Sequence, residues 1–124
     1  RRFRRNRIRH ELLPLLDDIA ERDVTVLLAR TADLLRSDDQ FLDELAAGID
    51  PTDADALSAA PRVLSARAIR QWLEHEGYPP DADTVRRVLA VAGGAAAACE
   101  LVGGRRIERH SNRLVLATTP APNR

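Results

Sequence analysis

The sequence has no lysine, no methionine, one cysteine and four aromatic residues in 124. Each shortage excludes something. A single cysteine, Cys99, cannot form an internal disulfide and is expected to pack as a small hydrophobe. With only Phe3, Phe41, Trp72 and Tyr78 as aromatics, the core must be built from Leu, Val, Ile and Ala, which favours packed helices. No apolar run approaches a membrane span and no signal peptide is visible, so a cytoplasmic location is expected. A chain that begins at Arg1 and contains no methionine is expected to be a fragment of a longer product. All 19 basic residues are arginine, and the abundance of Ala, Asp and Gly makes GC-rich codon usage the simple explanation. The lack of lysine is therefore no evidence for nucleic acid.

What is present is a polarised charge pattern under a net charge of zero. Residues 1–10 hold six arginines and no acid. Residues 11–60 hold three arginines and 13 acids, and residues 61–124 hold ten arginines and six acids. Basic ends attract polyanions and an acidic middle repels them.

Apolar spacing predicts a helix over 4–19, with Ile8, Leu12, Leu15, Leu16 and Ile19 on one face. Pro14 predicts a kink or short break near Leu13. The longest periodic stretch, 22–47, carries Leu27, Leu28, Leu34, Leu35, Phe41 and Leu45, with Gly48 as its stop. A short helix follows over 53–58, then a third main helix from Pro61 to Glu76 with Ala66, Ile69, Trp72 and Leu73 as its buried stripe and Gly77 ending it. Asp81, Asp83 or Thr84 can cap a helix running to Ala92, with Val85, Val88 and Leu89 inside. Segments 97–102, 105–110 and 113–117, separated by Gly103-Gly104 and Ser111-Asn112, predict a three-stranded antiparallel meander with Leu101, Ile107 and Leu114 on one face. Residues 118–124 read as a disordered tail. The fold class is mainly α with a small C-terminal β-meander (α+β).

The opening RRFRRNRIRHELLP carries the most chemistry. On a helix Arg2, Arg5 and Arg9 lie near one line with Asn6 beside them. Guanidinium groups bind phosphate in a planar, bidentate way. Such a face suits a triphosphate or an RNA backbone; a solvated helix whose arginines pair with acids elsewhere is the equal alternative. Phe3, Arg5, Asn6, Ile8, Arg9, Leu12, Leu13, Pro14 and Leu16, read as F-x-R-N-x-I-R-x-x-L-L-P-x-L, resemble the segment after the catalytic domain of tRNA-Ile lysidine synthetases, which are N-type PP-loop ATPases. ARAIRQWLEHEGYPPDADTVRRVLAVA resembles the helical pair of that family's substrate-binding domain, and ACELVGGRRIERHSNRLVL its terminal strands. The similarity spans residues 3–117, more loosely in its later parts.

The resemblance implies a parent ligase that uses ATP and Mg2+ to activate the wobble cytidine of tRNA-Ile with a CAU anticodon. Free lysine then displaces AMP, and decoding changes from Met to Ile. It implies residues 1–20 as an inter-domain helix after a missing catalytic domain, and 21–117 as a helical substrate-binding domain. The family's SGGxDS loop is not found here, so this chain alone is not expected to adenylate anything. Arg5, Asn6 and Arg9 would contact ATP, lysine or the anticodon. No catalytic residue is assigned.

A second basic cluster comprises Arg67, Arg70, Arg86 and Arg87, joined by Arg105, Arg106, Arg109 and Arg113 from the meander. These suit tRNA phosphates and would set register rather than identity. Ordinary surface pairing, such as Arg70 with Glu74, is the bland alternative. Trp72 belongs to the core more readily than to a base stack. His10, His75 and His110 lack metal-ligand spacing, so no metal is expected. The rivals are a helical protein-interaction or oligomerisation module, whose acidic helix would dock a basic partner or form a homodimer, and a DNA-binding domain, for which no recognition-helix signature exists.

Overall fold

Helices fill most of the chain and a small sheet closes it, in a computed structural model that describes residues 2–74 and 79–118. The order is α1 (Arg2–Arg7), a π-helical turn (Ile8–Leu12), α2 (Leu13–Ala20), α3 (Val24–Ala47), α4 (Ala54–Ala59), α5 (Arg62–Leu73), α6 (Ala82–Ala92), β1 (Ala98–Leu101), β2 (Arg105–His110) and β3 (Arg113–Thr118). The described residues fall into two compact units, one up to Gln40 and one from Phe41.

In the first unit Pro14 does not break the helix. Leu13 N–H donates to the carbonyl of Ile8, five residues back. The helix widens there, and Pro14 sits in the first turn of α2. A proline removes a backbone donor and crowds the preceding turn, and the π turn absorbs that misfit. Glu21 ends α2 in the left-handed region at φ 51°. The Asp17 carboxylate then accepts from Val24 N–H at 2.7 Å, so this acid caps the next helix rather than only facing water. The helical period of α3 is as the spacing predicts, and Ala46 near its end is buried. No described residue up to Gln40 is buried, and Leu34 and Leu35 are 69% and 62% exposed.

The second unit holds the core. α6 packs against α4, α5, β1 and β2. Val85, Val88 and Val91 of α6 meet Ile69 and Leu73 of α5, with Leu57, Cys99 and Ile107 closing the cluster. Trp72 packs against this cluster, partly buried. Ser65 is buried and donates to the Leu57 carbonyl at 2.7 Å, tying α5 to α4. Asp81 caps α6 by accepting from Thr84 N–H. α5 stops earlier than the spacing predicts, because Glu74 turns to extended backbone at ψ 128°. His75, Gly77 and the expected helix end at Glu76 lie outside the described residues.

The strands form an antiparallel sheet in the order β1-β2-β3. Cys99 faces Ile107, and Ile107 faces Leu116. Leu101, Ile107 and Leu114 are all buried, as one shared face requires. The β1–β2 turn needs positive φ at Gly103 and Gly104, 77° and 69°. β3 extends to Thr118, which pairs with Arg105. The rest of the expected tail lies outside the described residues.

The β2–β3 turn is clasped to the start of α4. Asp53 caps α4 through Asp55 and Ala56 N–H, and Asn112 Nδ2 donates to the same carboxylate at 2.9 Å. Asn112 Oδ1 accepts from Asp55 N–H at 3.0 Å. Asn112→Ala removes both side-chain bonds and is expected to cost about 1–3 kcal/mol, read as a lower urea midpoint at unchanged m-value. An unchanged midpoint would show that the clasp contributes nothing.

Candidate nucleic-acid interface

The amino-terminal motif is presented on a helix that buries nothing. Arg5 and Asn6 lie on α1 and Arg9 in the π turn, all exposed. Among the described residues none of the three side chains has a hydrogen-bond or ion-pair partner. The α-helical register assumed for Arg2, Arg5 and Arg9 ends at Arg7, where the π turn begins. Arg7 is bonded to Glu11 at 3.0 Å. Arg4 and Arg7 border a shallow hollow of about 470 Å³ floored by Ile8, Leu12 and Leu15. Arg5 and Arg9 are not part of its lining.

The second cluster looks different once its partners are traced. Arg67 is bonded to Asp43 at 2.7 Å. Arg86 and Arg87 share Asp83, at 2.5 and 3.1 Å, and Arg87 also donates to the Glu100 carbonyl. Arg106 bridges Glu100 at 2.6 Å and Glu108 at 2.7 Å, and these two acids push its pKa further up. Arg109 donates to the carbonyls of Ser111 and Ala92, placing a cation at the carboxyl end of α6 where the helix dipole favours it. Arg113 donates to Asp50 and Thr52 at 2.7 and 2.6 Å. Five of these arginines join separate segments of the fold, and Arg86 pairs within α6.

Two members remain. Among the described residues the Arg105 side chain donates only to the Val102 carbonyl, at 3.4 Å. Arg70 is exposed and has no ion pair among the described residues; the bond to Glu74 that its spacing suggests is not made. Arg62, at the start of α5, is likewise exposed and free of any carboxylate among the described residues. Sequence reasoning missed Arg62, since no motif marks it.

The acids of the fold respond to these contacts. Asp50 is held down at about 2 from an ordinary 3.8, first by the Thr52 hydroxyl, then by Thr52 N–H and Arg113. Asp83 is lowered mainly by its bond to Arg86. Asp53 is lowered mainly by Ala56 N–H. A carboxyl lowered in the folded state stabilises it above its unfolded pKa, and that contribution disappears as pH falls through the folded value. The thermal midpoint is therefore expected to fall between pH 4 and pH 2, and Asp50→Asn should flatten part of that fall. A midpoint level across this window would contradict the clasp's charge assignment.

Other groups stand apart. Burial pushes the Cys99 thiol up and keeps it inert. His110 lies 3.3 Å from Glu108. Among the described residues no group of three His, Cys, Asp or Glu could hold a metal ion, and no helix is long and apolar enough to cross a membrane.

Comparison with known proteins adds to this geometry. The family model of the TilS substrate binding domain matches residues 53–115. The chain is similar to a tRNA(Ile)-lysidine synthase of Thermobifida fusca, 34% identical over 93% of this chain and 40% of that protein. One from Nocardia farcinica is 40% identical over 70% of this chain and 30% of its own length. One from Mycobacterium tuberculosis is 36% identical over 97% and 43%. The chain thus spans less than half the length of the curated relatives it matches.

Proposed function

Because the chain belongs to the TilS substrate binding domain family, we propose that it is the tRNA-binding portion of a tRNA(Ile)-lysidine synthase. The observation that carries this reading is where the match falls. Residues 53–115 run from the cap of α4 into β3, through the helices and strands that share the buried core. The relatives extend the similarity over most of the remaining chain. The interaction or oligomerisation alternative is not favoured by these matches.

The whole protein, on this reading, is a cytoplasmic ligase that joins lysine to the wobble cytidine of the CAU anticodon of tRNA-Ile. ATP supplies the activating chemistry, and the remainder of the protein would hold it with its Mg2+. Among the described residues no cluster of His, Cys, Asp or Glu could hold the metal. Arg5, Asn6 and Arg9 do fit phosphate oxygens, because among the described residues their side-chain donors have no partner. They would steady ATP, lysine or the anticodon at the junction with the catalytic part. Of the second cluster, Arg70 and Arg105 retain charge for tRNA phosphates, and the paired arginines position the elements that carry them.

The test is lysine transfer. The full-length protein, given ATP, Mg2+, labelled lysine and a tRNA-Ile transcript, should label the tRNA, and a transcript with an altered wobble base should stay unlabelled. No ATP-dependent labelling would overturn the proposed activity.

A further inference from the structure

Six arginines of the helical and β unit have their guanidinium groups occupied by carboxylates or carbonyls, as traced above. An arginine beside an acid presents less net charge to a phosphate, and one bonded to carbonyls is held in place by them. Binding to a polyanion then falls to the uncompensated cations. On α5 these are Arg62 and Arg70, both exposed and without a carboxylate among the described residues. They stand at the two ends of one i, i+4, i+8 ridge, with Ala66 between them. Eight residues of helix separate them by about 12 Å along the axis. Arg62 also borders a hollow of about 200 Å³ lined by Ser58, Leu89 and Ala92, so its side chain is approachable from that side.

We infer that Arg62 and Arg70 form a two-point seat on α5 for the phosphodiester backbone of the bound RNA. The inference rests on the tRNA-binding reading and adds to it the residues that make the contact. The seat reads no base; it fixes the register of the RNA along α5.

A salt series with a tRNA-Ile transcript tests it. Each phosphate contact contributes about 0.7 to 0.9 to the slope of log K against log salt. The Arg62→Gln/Arg70→Gln chain should therefore lose about 1.4 to 1.8 of the wild-type slope. Arg62→Lys/Arg70→Lys should keep most of it. Arg36→Gln, which removes a cation bonded to Asp33 on α3, should leave it unchanged. Both α5 positions are exposed, so thermal unfolding should match wild type and loss of slope cannot be assigned to unfolding. If the wild-type chain binds and the double Gln variant keeps its full slope, the seat is wrong and the tRNA reading stands. If the wild-type chain binds no tRNA at low salt, both fall.

Discussion

Ile69→Ala should unfold much of the second unit under mild denaturant, while Leu34→Ala should leave stability nearly unchanged. Ile69 is 0% exposed and sits where α5 meets α6. Truncating a buried Ile to Ala removes its transfer free energy and leaves a cavity, at about 2–5 kcal/mol. A unit of this size commands only about 4–12 kcal/mol in total. The urea midpoint should fall by about 2 M, given a slope near 1–2 kcal/mol/M. Leu34 is 69% exposed, and a truncation there should stay within about 0.5 kcal/mol. The contrast is informative because periodicity alone would rank both leucine-rich α3 and α5 as core helices. Equal losses at the two positions would mean that α3 is covered in solution.

The second large effect is on activity. In the full-length protein, Arg5→Ala with Arg9→Ala should cut lysine transfer by about 100-fold, the order lost when a donor to developing charge is removed. Both side chains are exposed and without a partner among the described residues, so the helical fold should be retained by circular dichroism. Activity near wild type would remove these residues from the site. Loss of the helical signal would make them structural.

The element pattern was legible because local rules decide it. Apolar spacing places the helices, Asp53 and Asp81 are visible caps, and Gly103-Gly104 and Ser111-Asn112 mark the two hairpin turns. The π turn was not legible. The sequence shows that Pro14 disturbs an α-helix, and widening resolves that as well as breaking does. Burial on α3 was not legible either, since a period identifies a face but not what lies against it. The charged groups were the hardest. Arg113 and Asp50 are 63 residues apart, and Arg67 and Asp43 are 24 apart, so only the fold shows that these cations are spent. Arg62 stayed hidden for the converse reason, since its significance is the lack of such a partner among the described residues. Family resemblance was carried most specifically by residues 3–16, whereas the family match falls on 53–115, the part whose likeness is looser by eye.

The most direct test of the central claim is a competition experiment with the unmodified chain. A labelled tRNA-Ile transcript is bound at low salt and challenged with unlabelled tRNA-Ile or with duplex DNA of equal length. The account predicts binding that weakens steeply with salt and is displaced by tRNA at lower concentration than by DNA. Equal displacement by both competitors, or no complex at low salt, would contradict it.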